Sequence, residues 1–464
     1  MAEIEGVVID FGDGLVSSVR QHLTALGGVN PENYTIFRVP ARVRGCNKRL
    51  YEPEIVSIGP YHHGNPACKA MQMYKWQCLR DLLARGRDIC VDDCIRRLRK
   101  LEPRARRCYF EPVELDGDEF VKMLLLDGCF VIEFLIKCLL DKKKDAVCNT
   151  AWSGPLIRCD LLLLDNQIPF FIIESLFALL VPRRVSPLME LLVMYITWGE
   201  RKELPAEPGK KIHHLLHVHH LCFVSTKRPN SSTAGNSSVA KWLWLKLKRA
   251  PGLLLPRFCI SKKGEKRAPC TIPCATELQE AGVTFTKKED KKNKKEANSS
   301  GSFLDITFRN GILEIPFLSV EDSTPSDFAN LVAFEQCMGS TEGSYMTSYV
   351  CFMDCIINTA KDVAILQNSG IIENMLASDE ELAIFLNQLG NGTVMDCEEH
   401  YLAPLFTEVR EYCDSKRHKW RAKLMKDYFS NPWAIFSLVA AIALLIFTFL
   451  QTFFTIFPYY HPRN

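Results

Sequence analysis

The sequence predicts a mainly α-helical protein with a small antiparallel β-sheet and a single C-terminal transmembrane helix. Three observations carry that expectation. The run Trp433 to Phe457, WAIFSLVAAIALLIFTFLQTFFTIF, holds no charged side chain. Most of the chain before it places apolar residues at helical spacing, with some charge inside even the most apolar stretches. One segment, Phe303 to Pro316, instead alternates around an Asn-Gly pair, which is a hairpin signature.

As a helix the terminal run is roughly 37 Å long at ~1.5 Å per residue, against a hydrocarbon core of about 30 Å. Its polar members, Ser437, Thr448, Gln451, Thr452 and Thr455, are few, whereas a buried core helix is usually shorter and keeps a polar face. Trp433, Phe436, Leu438, Leu444, Phe447, Phe449 and Phe457 are the expected bilayer contacts. Lys416, Arg417, Lys419, Arg421, Lys423 and Lys426 precede the run, and only Arg463 follows it. The positive-inside rule then places the large N-terminal part in the cytosol. MAEIEGVVIDFGDG is acidic where a secretory leader is basic, so insertion as a tail anchor is expected. Ser437 and Ala441 form a small-xxx-small pair, which leaves a homo-oligomer open.

The 19 cysteines are odd in number and irregularly spaced in a chain too large to need staples, so free, mostly buried thiols are expected. Cys90/Cys94, Cys270/Cys274 and Cys351/Cys355 are C-x3-C pairs without a partner segment to complete a zinc set. Five N-x-S/T sequons, at Asn33, Asn230, Asn236, Asn298 and Asn391, argue for the opposite, luminal side. A net charge of +3 gives no global electrostatic case for nucleic acid. The basic cluster Arg96, Arg97, Arg99, Lys100, Arg104, Arg106 and Arg107 reads first as a solvated helix face.

Along the chain, residues 1–30 read as a loose arm with a short helix near Leu15 to Leu26. Residues 31–224 form a helical first part, 225–302 a variable segment, and 303–428 a hairpin followed by helices. The membrane helix covers 432–457 and a short tail 458–464. From Tyr34 the chain passes through an irregular, proline- and glycine-punctuated stretch. Helices are expected over Met71 to Leu83, Cys90 to Arg107 and Glu119 to Leu140. In Asp160 to Leu180, Asp165-Asn166-Gln167 and Pro169 break the helix, and Asn166 is placed to cap its second half. Ser225 to Ser238 and Thr286 to Ser302 are low-complexity linkers. Gly282 to Thr286 offers a third strand. Later helices are expected over Asp327 to Met338, Tyr345 to Asn358, Thr359 to Gln367, Ser378 to Leu389 and Glu399 to Tyr428.

Candidate chemistry is sparse. In KKIHHLLHVHHLCF, His213, His217 and His220 fall at i, i+4 and i+7 on one helical face and have the donor set for zinc. No HExxH accompanies them, and the plainer reading is a half-polar helix face. Asp127, Glu133, Asp165 and Glu174 sit in apolar stretches where a carboxyl is raised, or where it pairs with a core Lys or Arg. Neither a phosphate-binding loop nor a nucleophile elbow is present, and no catalytic residue or cofactor is assigned. Lys241 to Arg249, KWLWLKLKR, reads as a surface element before a membrane contact.

The segments IFRVP (36–40), YEPEIVSIGPYHHG (51–64), DEFVKMLLLDGCFVIEF (118–134), DLLLLDNQIPFFIIESLF (160–177), FLDITFRNGILEIP (303–316), NLVAFEQC (330–337) and NPWAIFSLVAA (431–441) closely resemble the plant family called domain of unknown function 247. So do the Lys75-containing helix, ARRCYFE (105–111) and ATELQEAGVTF (275–285), in register. This chain has Asp165 where the family carries Glu, and Ala329 where it carries Arg. The resemblance implies a plant protein with one C-terminal transmembrane helix and no established activity or cofactor. Some members are pollen-side determinants of self-incompatibility in grasses. It therefore implies a membrane-anchored recognition or signalling protein with protein partners and a lipid contact. The alternative is a membrane-tethered hydrolase or transferase using the His213/His217/His220 cluster or a buried carboxylate.

Overall fold

The computed structural model describes residues 13–26, 34–45, 47–85, 89–140, 145–182, 185–199, 211–224, 269–288, 303–339, 344–390, 392–398, 400–415, 420 and 432–460. In chain order its helices are α1 (Asp13–Leu26), α2 (Ala41–Arg44), α3 (Lys69–Arg85), α4 (Val91–Arg106), α5 (Gly117–Leu139), α6 (Ala146–Asn149), α7 (Ser153–Leu161), α8 (Phe170–Leu180), α9 (Leu188–Ile196) and α10 (Leu215–Val224). After the variable segment come α11 (Ala275–Ala281), α12 (Thr324–Met338), α13 (Tyr345–Ile356), α14 (Ala360–Asn368), α15 (Asp379–Gly390), α16 (Ala403–Asp414) and α17 (Pro432–Tyr460). The strands are β1 (Thr284–Lys287), β2 (Thr307–Arg309), β3 (Ile312–Ile315), β4 (Leu318–Val320) and β5 (Ile372–Asn374).

The first half is arranged around α5. Asp116 caps it by accepting from the Glu119 N–H at 2.8 Å, and every residue from Phe120 to Cys138 except Lys122 is buried. Helices α3, α4, α8 and α9 pack around it. On α4 the basic residues are largely engaged. Arg96 pairs with Asp93, Arg99 with Asp118 and Arg106 with Glu102, while Arg104 lies 3.8 Å from the Phe171 ring centroid.

In the second half, the Asn310-Gly311 turn does what its residues predict. Asn310 and Gly311 have φ of 52° and 81°, and β2 and β3 pair antiparallel. The sheet as a whole is not antiparallel, which corrects the sequence expectation. β1 joins it, as expected for a third strand, but pairs parallel to β3. A second sheet pairs β4 parallel to β5. Parallel neighbours need long connections, and both pairs have them: residues 288–311 between β1 and β3, and α12 to α14 between β4 and β5.

One buried apolar cluster runs from Ile36 to Val409 and unites both halves. Helix α12 makes the seam. Its Asn330 side chain accepts from the Leu164 N–H at 2.9 Å and donates to the Leu50 carbonyl at 2.7 Å. Asp327 and Glu335 reach Arg158 and His220 of the first half.

Two further expectations are corrected. Asn166 does not cap α8; the residue before that helix is Pro169, and the Phe170 N–H donates to the His213 carbonyl at 2.7 Å. Cysteines Cys138–Cys148 and Cys270–Cys397 are disulfides, with Cα atoms 5.3 and 5.0 Å apart, although 13 other described cysteines are free. Tertiary proximity made these pairs, and the C-x3-C spacings did not.

Helix α17 carries no Asp, Glu, Lys or Arg. Its side chains are described without a break over 439–453, roughly 22 Å at ~1.5 Å per residue. Among the described residues no helix is long and apolar enough to cross a membrane. The topology-setting residues Lys416, Arg417, Lys419, Arg421, Lys423 and Lys426 lie outside the described residues, as do Lys241 to Arg249, Ser225 to Ser238 and residues 289–302.

The irregular stretch Pro53–Gly59 runs through the interior, where its backbone groups need partners. Side chains supply them. Asp160 accepts from the N–H groups of Glu54, Ile55 and Val56 at 2.9, 2.8 and 2.7 Å. Asn166 accepts from Ile58 at 2.6 Å and donates to the Val56 carbonyl, and Asp127 accepts from Gly59 at 2.8 Å. Lys75 donates to the Ser57 carbonyl and pairs with Asp127. Gly59 has a φ of 79°, and a Cβ there would collide with the Gln167 carbonyl. Gly59→Ala is expected to lower the unfolding free energy by about 3 kcal/mol or more. Gly64, with the same φ but open space around it, should lose only about 1–2 kcal/mol on the same change. Denaturant unfolding of the full-length variants measures both.

Candidate functional site

The histidines nominated from the sequence form part of the core. Helix α10 starts at Leu215, so His213 precedes it. The His213 and His217 rings stack at 4.7 Å, and His217 and His220 are 6.5 Å apart by centroid. Both His217 and His220 lie against Phe334. His220 Nε2 is 2.8 Å from Glu335 Oε1, and Glu335 also accepts from the Met346 and Thr347 N–H groups that open α13. His214 bonds the Thr35 carbonyl. The half-polar face expected here is instead almost wholly buried, because these imidazoles meet Phe334, a carbonyl and a carboxylate from other elements. Among the described residues no three His, Cys, Asp or Glu side chains are grouped to hold a metal.

The nominated carboxylates are structural as well, with one exception. Asp127 pairs with Lys75, Asp165 with Arg44 and His62, and Glu133 takes a forked contact from Arg85 at 2.8–3.0 Å. Burial raises Glu133 above the usual carboxylate range despite that partner. Glu174 is exposed on α8, yet desolvation still raises its carboxyl above the ordinary range, as expected for it. Asp160, which the sequence did not single out, is raised to about 6 by burial, against the pull of its three N–H donors.

A cleft that sequence reasoning missed lies where α7, the turn after α9, α10 and the β4–α12 connection meet. Its volume is about 400 Å³. Arg158, on α7, donates through Nη1 to both oxygens of Asp327 at 3.2 and 2.9 Å, and through Nε to the Ile196 carbonyl at 3.0 Å. Its guanidinium carbon lies 5.8 Å from the Trp198 ring centroid. Trp198 is over half exposed and holds a φ of 52°, with Gly199 following at 79°. Few bulky residues adopt that conformation, since the Cβ crowds the backbone.

Aromatic rings form the walls, with Phe303 edge-on to Phe223 at 5.0 Å and stacked on Phe328 at 6.0 Å. Two polar groups in this lining have no hydrogen-bond partner among the described residues: both ring nitrogens of His219, and Ser319 Oγ. His219 is 2% exposed, and its Nε2 is 3.8 Å from Asp327 Oδ2. Burial holds the His219 pKa well below the ordinary value, with the neighbouring Arg158 and His220 adding to the effect. The imidazole is therefore neutral at pH 7 and offers one donor and one acceptor. The one signal in the sequence was Arg158 inside an apolar helix; the rest comes from segments up to 169 residues apart.

A second cavity, of about 210 Å³, lies between residues 39–51, α12 and α15. Val39, Val43, Val332 and Phe385 make it apolar, and its Gln336 amide already exchanges bonds with Val394.

The sequence profile of DUF247, described as a plant protein of unknown function, matches residues 36–447. The chain is 28% identical over 462 residues to the UPF0481 protein At3g47200 of Arabidopsis thaliana, covering 98% of this chain and 93% of that protein. It is 23% identical over 496 residues to a second Arabidopsis thaliana UPF0481 protein, At3g02645, covering 91% and 90%. No solved structure matches.

The depressed His219 pKa fixes a pH response. Below about pH 6.5 the unfolded chain protonates this imidazole while the folded chain resists, so acid favours unfolding through His219. Asp160 acts in the opposite sense between about 6 and the ordinary carboxylate range, where the folded state takes its proton first. The difference between wild type and His219→Gln isolates the histidine. Wild type should lose stability relative to the variant by at most about 1.4 kcal/mol per pH unit below 6.5, with a constant difference above it. Denaturation midpoints from pH 5 to 8 check this.

Proposed function

This chain belongs to the DUF247 family of plant proteins, and we propose that it is a membrane-anchored recognition protein acting through contacts with other proteins. Anchoring rests on α17. It is an uncharged helix of 29 residues, roughly 43 Å long, and its Phe436, Leu444, Phe447 and Phe449 are each 67–70% exposed. An uncharged helix with large apolar side chains exposed in this way suits lipid. Its Thr448 and Thr452 hydroxyls donate back to the Leu444 and Thr448 carbonyls at 2.8 Å, so they enter an apolar phase already bonded.

Recognition is the better reading of the remainder because the buried ionisable groups in the family motifs are engaged in holding the chain together. Lys75, Asp127, Asp160 and Asp165 all serve backbone groups or ion pairs. The basic run at 416–426 supports a cytosolic position for the domain. The two disulfides support the opposite side, since they persist in oxidising compartments.

In plant cells the full chain should stay in the membrane pellet after alkaline carbonate washing, and a version lacking 433–457 should be released. Release of the full chain would overturn the anchor. Protease and glycosidase treatment of an N-terminally tagged chain sets the side. Proximity labelling from the same N-terminus then tests recognition: a distinct set of proteins should be labelled by the full chain and lost on deleting 433–457. Identical labelling by both forms would count against recognition at a membrane.

A further inference from the structure

We propose that the cleft between α7, α10 and the β4–α12 connection is a binding site for a small, neutral, planar molecule that both donates and accepts hydrogen bonds. Three features define the ligand.

Shape comes first. About 400 Å³ is room for a ring system of modest size, and the walls include Phe223, Phe303, Phe317, Phe328 and Trp198. Aromatic walls favour planar guests through offset and edge contacts.

Charge comes second. Among the described residues of this lining Arg158 is the cation, and Asp327 takes both contacts of its Nη1 while the Ile196 carbonyl takes Nε, so the cleft holds a self-neutralised pair. Glu321 adds a negative group, which opposes an anion. Among the described residues of the lining a cation finds only the exposed Glu321 to meet, because Asp327 is already taken by Arg158. A neutral guest leaves that buried pair undisturbed.

Hydrogen bonding comes third. His219 and Ser319 present polar atoms that no described protein group satisfies, and His219 is 2% exposed. Leaving such groups unpaired is unfavourable, so a guest bonded to them gains what the fold withholds.

Trp198 supplies an independent argument. Its φ of 52° suits glycine far better than tryptophan, yet the ring is more than half exposed and so contributes less to the core than a buried one. A ring held at the mouth in an unfavourable conformation is intelligible as a wall for a guest.

The test uses three probes with one ring and one hydroxyl: neutral 4-hydroxybenzamide, anionic 4-hydroxybenzoate and cationic tyramine. Saturation-transfer NMR on the full chain in lipid nanodiscs gives their affinities. The amide should bind saturably and at least about tenfold more tightly than either ion. Ser319→Ala and His219→Phe should each weaken it about fivefold, the effect of one neutral hydrogen bond. Trp198→Gly should weaken binding by a similar factor while leaving the thermal midpoint unchanged or higher, because glycine accepts the φ without strain. This split keeps the result independent of misfolding in the His219 variant. Absence of saturable binding by the amide, equal binding of all three probes, or full affinity in both Ser319→Ala and Trp198→Gly would overturn the proposal.

Discussion

An irregular segment buried in the core must have every backbone group bonded, and that requirement shapes the first half of this protein. Pro53–Gly59 has no sheet or helix to satisfy it. Asp127 comes from α5, Asp160 from α7, Asn166 from the α7–α8 link and Lys75 from α3. Four separate pieces of chain are thereby fixed to one strand of backbone. Removing Asp160 alone would orphan three N–H groups, each of which costs about 1–3 kcal/mol when left unpaired in the interior. Desolvation makes this arrangement expensive, which is why Asp160 is raised to about 6 even with three donors. A buried ion pair such as Lys75–Asp127 adds little net stability over an apolar substitute. Through the Ser57 carbonyl and the Gly59 N–H it ties α3 and α5 to the same buried backbone.

The seam between the halves follows the same logic on a smaller scale. Along α12, Asp327, Asn330 and Glu335 each meet a different element of the first half or the helix that follows. Phe334 lies among them against three imidazoles. The histidine-rich sequence is thus the counterpart of α12. The aromatic cleft opens at one end of this seam, where Arg158 and Asp327 meet.

Local chemistry made some of this legible in the sequence. Asn310-Gly311 fixed the hairpin, because few other pairs accept two positive φ values. The apolar run from Phe120 to Cys138 announced a central helix, and its internal charges announced partners for Asp127 and Glu133. What stayed hidden was long-range. The parallel pairing of β1 with β3 depends on a connection whose path no local pattern encodes. Asn166 looked like a cap because of its distance from Pro169, but its amide is claimed by Val56 and Ile58, more than a hundred residues earlier. The cleft assembles from Arg158, Trp198, His219, Ser319 and Asp327, no two of which share a motif. The smaller cavity has Ala329 in its wall, at the position where the family pattern carries Arg.

The Cys270–Cys397 bond joins residues 127 apart in sequence and so closes a covalent ring around both small sheets and helices α11 to α15. A ring has no ends to fray. A single proteolytic cut between residues 288 and 303 would linearise it without separating its parts: β1 would remain tied through sulfur to the chain that carries β2 and β3. In the folded protein the β1–β3 ladder and the shared core would hold the two sides of such a nick together in any case. Once the protein is denatured, only the Cys270–Cys397 bond would keep them as one molecule, and a reductant would part them.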